Sequence, residues 1–377
     1  MRKCKIFIGI LSGTSMDSID CGIYNFCNNK LEEIAFYENK YPDKIRNKMN
    51  NNLEELKKNY YKSYLNVELS NEYGKIVNGI LAKEKISPKE VMAIGMHGQT
   101  ISHLEHEGRN ISIQIGCPKT LSKETKIKVI SDFRNHDIEN GGEGAPLAPI
   151  FHNYIFKKND KKRIIVNIGG ISNISLIEND KNIDISGFDT GPGNTLIDSW
   201  MKNNFNTDYD KNGHTANKYE TDENLLNIFL EDKYFKKKLP KSTTTEYFCY
   251  KWVLDKLEIN NNSIDKGVVL STLTMLSAVS ILKSIKENYK SCDEIFVCGG
   301  GAFNETLIFN IKKSAEKYFS KEVLINTTKS LGFNPKSVEA GLFAWLAMSR
   351  INNIKLDYTN ITGAKKPCVL GNIYNFS

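Results

Sequence analysis

Apolar residues run almost unbroken over 6–11, stop at the small and polar Ser12-Gly13-Thr14-Ser15, and resume over 21–26 and again over 33–37. Short apolar runs bounded by turn residues read as buried strands. The start of the chain is therefore predicted as strand, polar turn, strand, strand. The same order returns far downstream: a strand over 164–167, the turn Gly169-Gly170-Ile171-Ser172, then strands over 173–177 and 183–189. The recurrence predicts two related lobes, on the pattern of elements and not on identity of residues.

Between the repeats, Leu69, Tyr73, Ile76, Val77, Ile80 and Leu81 recur at helical spacing and give one apolar face. Residues 92–96 read as a strand that ends at His97. Helices are predicted over 195–205, 266–289, 305–319 and 335–351, alternating with strands, which is the signature of an α/β architecture. A chain of 377 residues exceeds what one core usually serves. We divide it into a first lobe, 1–140, and a second, 141–377, whose last helix, from Pro335, is expected to pack back on the first. No flexible tether is visible, so close crossovers should join them.

Composition alters this picture little. Hydrophobic residues at 40%, aromatics at 10% and charged residues at 25% are globular proportions and exclude a disordered chain. Lys+Arg 51 against Asp+Glu 44 leaves +7, but the lysines are interspersed with acids and asparagines, so no nucleic-acid partner is expected. The eight cysteines form no CxxC pair and several lie in apolar runs; they read as reduced thiols of a cytoplasmic protein, not a disulfide frame or a zinc site. The N-terminus has the look of a secretion signal but runs straight into GTSMDSID, which favours a first strand. The longest apolar stretch, 268–282, is interrupted by Ser271, Thr272, Thr274, Ser277 and Ser280 and is too short to span a bilayer, so no membrane association is expected.

Three glycine-rich turns follow predicted strands: SGTSMDSID from Ser12, DTGPGN from Asp189 and CGGGAFN from Cys298. Glycine lets backbone amides come close to a phosphate, and the hydroxyls of Thr14, Ser15 and Thr190 add donors. One such turn is ordinary turn chemistry. Three in a repeated strand frame point to a phosphate ligand. The GxxxxGK[ST] pattern does not occur, which excludes an ordinary P-loop.

With GTSMDSID (13–20), HGQT (97–100), SDFRNHDIENGGEGAPLAPIFH (131–152), NIGGISNIS (167–175), GFDTGPGN (187–194), CGGGAFN (298–304), VEAGLFAWLA (338–347) and TGAKKPCVLG (362–371), in that order over nearly the whole chain, the sequence resembles the anhydro-N-acetylmuramic acid kinases of the sugar kinase, Hsp70 and actin superfamily. The resemblance implies a two-lobed, ribonuclease H-like α/β fold with ATP in the interlobe cleft. It implies ATP and Mg²⁺ as cofactors, an anhydro sugar as small-molecule partner, and a homodimer. The implied activity opens the 1,6-anhydro ring of 1,6-anhydro-N-acetylmuramic acid with water and phosphorylates O6, in peptidoglycan recycling.

Residue by residue, the resemblance makes Gly13, Thr14, Ser15, Met16, Asp17, Ser18, Ile19 and Asp20 the first phosphate loop, in the first lobe. It adds Gly169, Gly170, Gly191, Gly193 and Asn194 to the ATP site, and Gly299, Gly300, Gly301 and Asn304 on the nucleoside side, in the second lobe. Asp189 takes the place of the catalytic base. His97, Arg134, Asp137 and Glu339 fall in motifs that line the sugar cleft, and no residue is assigned to a metal.

The chemistry accounts for these residue types. Water attacking an acetal carbon needs a carboxylate to take its proton. Transfer of the γ-phosphoryl group to O6 removes the developing alkoxide, so one base serves both bond changes. Plainer roles stay open for each residue: Asp189 as an N-cap for the helix near Thr195, His97 in a structural hydrogen bond, Arg134 paired with Asp137 on its own loop, and Glu339 as a favourable charge at a helix start. The chain also departs from the family pattern, with Ser18 for Gly, Cys117 for Asp, Phe303 for His, and Thr244 and Thr245 for Gly and Arg. These departures admit another 1,6-anhydro sugar, such as levoglucosan, as substrate. A nucleotide-gated binding module without turnover is the reading from a different class, and Asp189 argues against it.

Overall fold

The computed structural model describes residues 4–13, 16–28, 30–59, 63–106, 109–158, 161–177, 187–239, 241–260, 263–289 and 291–376. Along the chain run β1 (Lys5–Ser12), β2 (Ser18–Cys27), β3 (Lys30–Lys40), α1 (Asp43–Asn51), α2 (Leu53–Asn59), α3 (Leu65–Glu84), β4 (Val91–His106), β5 (Arg109–Ile115), α4 (Pro118–Thr125), β6 (Val129–Ser131), α5 (Phe133–Glu139) and α6 (Ala148–Phe156). There follow β7 (Arg163–Ile168), β8 (Ile171–Ile177), β9 (Gly187–Pro192), α7 (Thr195–Phe205), α8 (Glu223–Leu230), α9 (Tyr250–Asn260), α10 (Lys266–Asn288), β10 (Glu294–Cys298), α11 (Glu305–Tyr318), β11 (Leu324–Thr327), α12 (Val338–Ile351) and β12 (Asn372–Tyr374). The architecture is α/β, with two sheets.

These elements gather into two compact units, Met1–Ile155 with Ser337–Ser377, and Phe156–Lys336. The division falls at 155/156, where the sequence reading put 140/141, and 337–377 count with the first unit instead of the second. Two sets of contacts account for the difference. The loop after α5 is tied to the C-terminal segment by Glu143 N–H to Thr362 O at 2.8 Å and Lys365 N–H to Asn140 O at 2.9 Å, and α12 lies on β1 and β4.

In the first unit the strand order is β12-β6-β4-β1-β2-β3, with β5 added to β4. Strands alternate their faces, and Ile8 and Ile10 of β1 join the buried cluster formed with Leu69, Tyr73, Val77, Ile80 and Leu81 of α3. The helical face expected from the sequence is thus a core face. The opposite face of β1 presents Gly9 beside Gly95 of β4. A Cβ on Gly9 would lie 1.8 Å from Ala340 O, and one on Gly95 1.9 Å from Phe343 O. Helix α12 therefore rests on the strands backbone to backbone.

One cysteine assignment is overturned. Cys4 and Cys27 are joined in a disulfide, not held as separate reduced thiols. The antiparallel register that sets Lys5 opposite Phe26 sets the preceding Cys4 opposite Cys27, with Cα atoms 4.6 Å apart. Their linear separation of 23 residues carries no such signal. The other six cysteines are free.

The second unit repeats the plan. Its order, β11-β10-β7-β8-β9, has the parallel and antiparallel pairings of β6-β4-β1-β2-β3, strand for strand. Strand β9 begins at Gly187; the earlier part of the predicted strand, 183–186, lies outside the described residues. Helix α10 matches the helix predicted over 266–289 to within one residue and extends beyond the apolar run 268–282 at both ends. Among the described residues it alone has the length and hydropathy of a membrane span, and most of it is buried within this unit. Its faces serve the sheet cluster, through Ile281, Leu282 and Ile285, and the helical cluster of α7, α8 and α9, through Leu270, Leu273 and Leu276.

The Gly9 contact makes a direct prediction. Gly9→Ala drives a methyl into the α12 backbone, and the first unit should lose about 3 kcal/mol, the upper end of the cost of overpacking. A fall in the urea midpoint of its unfolding transition measures this; an unchanged midpoint would mean that α12 does not press on β1.

Candidate active site

In the first unit, β4 does not end at His97 but continues to His106. The parallel ladder pairs Ile10 with Met96 and Leu11 with Gly98, so His97 is the extra residue of a bulge, which re-aims its side chain. Arg134 Nε donates to His97 Nε2 at 2.8 Å, which places the ring proton on Nδ1, 3.1 Å from Gly98 O. The imidazole stacks on Phe343 of α12, ring centroids 4.5 Å apart. Glu339 is the exposed residue of the otherwise buried first turn of α12, one helical turn before Phe343. Beside this group a cavity of about 710 Å³ is lined in part by His97, Arg134, Asn66, Gln114 and Cys117. The residue standing in place of the family's Asp thus faces that cavity.

Arg134 does not take Asp137 as its hydrogen-bond partner; Nη1 donates to Gly144 O at 2.9 Å. Asp137 has no exposed surface. Its oxygens accept from Gly144 N–H at 2.8 Å and Thr362 Oγ1 at 2.9 Å. Burial raises its pKa, against the Gly144 and Thr362 hydrogen bonds and the Arg134 charge. An enclosed carboxylate of this kind fastens the glycine loop that Arg134 touches, and its lack of surface removes it from direct contact with a ligand here.

The first glycine loop is only partly a loop. Gly13 O accepts from Gln99 Nε2 at 3.0 Å and from Met16 N–H at 3.1 Å, and Met16 holds a left-handed φ of 54°. Asp17 is exposed. Ser18, Ile19 and Asp20 belong to β2, where Ser18 Oγ donates to Asp20 Oδ1 at 2.9 Å and Ile19 is buried in the core. The Ile19 side chain is therefore committed to packing. Thr14 and Ser15 lie outside the described residues.

In the second unit, three glycine turns meet at the carboxyl ends of the parallel strands β7 and β10, the usual ligand edge of such sheets. Gly193 N–H donates to Gly170 O and Asn194 N–H to Gly169 O, both at 2.8 Å. A Cβ on Gly301 would lie 2.3 Å from Ile168 and 3.3 Å from Asn194 Oδ1; one on Gly193 would lie 2.3 Å from Gly169 O. Gly191 and Gly299 have φ of 145° and 79°. Asn304 has a local duty: its Oδ1 accepts from Leu307 N–H at 2.9 Å and caps α11. Phe303 is exposed beneath Lys336 Nζ, which sits 5.6 Å from its ring centroid.

Asp189 lies on β9, where the N-cap alternative does not apply, since Asn194 holds the cap position of α7. Its N–H donates to Lys241 O at 3.2 Å, its carbonyl accepts from Tyr234 OH at 2.8 Å, and its Oδ2 accepts from Thr243 N–H at 3.0 Å. Burial raises the carboxyl to about 6, against the Thr243 hydrogen bond and the charge of Lys241. The result is a half-buried carboxylate poised to exchange a proton near neutrality. Thr244 and Thr245 follow directly. Thr244 O and Oγ1 accept from Phe248 and Tyr247 N–H, and the Thr245 methyl carbon lies 3.1 Å from where a Cβ on Gly170 would stand.

Gln99, Lys241 and Thr243 escaped the sequence reading. Gln99 lay within the HGQT motif and Lys241 and Thr243 within KSTTTEYF, and neither periodicity nor glycine content marked them.

The Asp137 fastening is testable. Asp137→Ala removes both acceptors, leaving the Gly144 N–H and the Thr362 hydroxyl without this partner, and should cost about 1.5–3 kcal/mol of first-unit stability, read from urea unfolding; no loss would mean that the carboxylate is dispensable to the loop.

Against this geometry, comparison with known proteins is consistent. A family model described as anhydro-N-acetylmuramic acid kinase matches residues 5–376. A protein of Shewanella sp. (strain ANA-3) is 38% identical over 372 residues, covering 97% of this chain and 97% of its own. One of Legionella pneumophila (strain Corby) is 36% identical over 375 residues, covering 98% of each. One of Coxiella burnetii (strain Dugway 5J108-111) is 36% identical over 373 residues, covering 98% of this chain and 97% of its own. Each bears the name anhydro-N-acetylmuramic acid kinase. With a match that runs the length of the chain on both measures, the protein belongs to the anhydro-N-acetylmuramic acid kinase family.

Proposed function

We propose that this protein is an ATP-dependent kinase that opens the 1,6-anhydro ring of 1,6-anhydro-N-acetylmuramic acid with water and phosphorylates the freed O6, yielding N-acetylmuramic acid 6-phosphate in peptidoglycan recycling. The observation that carries this reading is Asp189, a carboxylate raised to about 6, on the strand that leads into the Gly193–Asn194 turn. A general base is most effective when its pKa lies near the working pH. Asp189 takes a proton from the attacking water, and the Thr243 N–H holds the carboxylate in place through Oδ2.

On this reading the segment from Gly13 to Asp20 and the turns at Gly169–Gly170, Gly191–Asn194 and Gly299–Asn304 receive the nucleotide, the close-packed glycines leaving backbone where side chains would intrude. Asn304 contributes by setting the direction of α11. Arg134 and Glu339 meet the sugar, His97 fixes the plane of the guanidinium, and Asp137 holds the loop beneath it. The residues fit Mg²⁺ arriving with ATP. Gln99 Oε1 is a buried carbonyl oxygen that has no partner among the described residues, on the side chain that binds Gly13, and Asp17 is an exposed carboxylate in the same loop. Hard oxygens of this kind suit the ion, which keeps much of its coordination from phosphate and water. Mg²⁺ supplies charge neutralisation of the transferring phosphoryl group. The homodimer and the cytoplasmic location belong to the same reading, the latter because the phosphoryl donor is ATP.

Thr245, against Gly170, gives the choice of sugar a physical basis: a Thr hydroxyl has neither the reach nor the planar fork of the Arg it replaces. ADP release with a panel of 1,6-anhydro-N-acetylmuramic acid and levoglucosan tests the substrate. Faster turnover of levoglucosan would shift the assignment to that sugar, and no release with either would favour a binding module.

Asp189→Asn should lower turnover at least ~10²-fold, with ADP and sugar phosphate falling together and ATP affinity retained. Because the ionised form is the base, wild-type turnover should decline as pH falls below about 6. Near-normal turnover of the variant would remove Asp189 from the mechanism.

A further inference from the structure

Lys241 is a lysine where lysines are rarely found. Only 7% of it is exposed, and among the described residues no ion pair holds its ammonium. Nζ lies 3.5 Å from Ser284 Oγ, 5.3 Å from the ring centroid of Tyr234 and 5.7 Å from that of Phe188. A buried ammonium needs compensation. Two aromatic faces supply part of it, and the fields of Glu287 and Asp189 supply more, against the repulsion of Lys283.

The same residue grips Asp189 by its backbone. Lys241 O accepts from Asp189 N–H, Thr243 N–H donates to Asp189 Oδ2, and Tyr234 OH donates to Asp189 O while its ring lies under the ammonium. Phe188, the other ring, is the neighbour of Asp189 on β9. The groups around the two charges therefore form one packed knot of β9, the 241–243 segment, Tyr234 and α10.

We infer that Lys241 is a positioning residue whose buried charge keeps Asp189 ionised, so that the base works at neutral pH despite its enclosure. The inference rests on the reading of Asp189 as general base. Burial alone drives a carboxyl towards its neutral form, and a neutral Asp189 cannot accept a proton from water. The titratable groups facing Asp189 from the elements packed against it are Lys241, whose charge favours the carboxylate, and Tyr234, a phenol that burial and the Asp189 charge keep neutral. Removing the ammonium while keeping its bulk leaves burial unopposed except by the Thr243 hydrogen bond. The acid limb of the turnover profile must then move up in pH.

Lys241→Met preserves the stem, and Lys241→Arg preserves the charge. In Lys241→Met the acid limb of kcat should rise by about one pH unit, as for a carboxylate that loses a nearby cation. Turnover would fall about five-fold at pH 6 and little at pH 8. Lys241→Arg should hold the limb within a few tenths of the wild-type position. Titration of the Asp189 carboxyl by carbon-13 NMR in wild type and Lys241→Met reads the same shift without catalysis, with Lys241→Gln as the second variant should the methionine variant not fold. A uniform loss of kcat at all pH values, with the Asp189 titration unmoved, would overturn the inference and make Lys241 a packing residue. The NMR measurement separates this from failure of the base assignment: if Asp189→Asn retains turnover, that assignment falls, while the carboxyl titration still decides whether Lys241 sets the ionisation of Asp189.

Discussion

Backbone contact between α12 and the two glycines of β1 and β4 governs the first unit. Side chains at positions 9 and 95 would hold the helix off the sheet, since the space for a Cβ is already taken by carbonyls of Ala340 and Phe343. With the helix so close, Phe343 reaches the imidazole of His97, and that ring in turn accepts from Arg134. Glu339 is carried on the same helix. A packing constraint thus places three of the polar residues singled out from the sequence. It also explains why the last helix counts with the first unit although it is encoded after the second.

The second unit reaches its site by another route. Its strands repeat the pairing pattern of the first sheet, and the glycine turns at the ends of β7 and β10 leave no room for a Cβ at Gly193, Gly299 or Gly301. Strand β9 leads from Asp189 into the same turns. The segment beside them carries the departure from the family pattern, Thr245, whose methyl carbon lies 3.1 Å from where a Cβ on Gly170 would stand.

Two carboxylates show how environment divides labour. Asp137 and Asp189 are both raised by burial. Asp137 is closed off and satisfied by two donors, Gly144 and Thr362, which makes it a fastener. Asp189 is half-buried, with one backbone donor and a lysine charge near it, which leaves an oxygen for proton transfer. The residue type is the same; accessibility and the number of donors decide the role.

Much of this was legible in the sequence, and the reason is that it is local. Apolar runs bounded by turn residues specify β1, β2, β7 and β8, and the helical spacing from Leu69 to Leu81 specifies the buried face of α3, because both periodicities come from the geometry of a few consecutive residues. The glycine turns and Asp189 were readable for the same reason, as short motifs with fixed spacing. Tertiary structure decided the rest. The Cys4–Cys27 bond follows from strand register, the bulge at His97 from the mismatch between β1 and β4, and the division at 155/156 from contacts between the loop after α5 and the C-terminal segment. Lys241 meets Asp189 only because the 51 residues of intervening chain fold back on β9. Register and long-range pairing are fixed by the sum of many distant packing contacts, and no window of consecutive residues contains that sum.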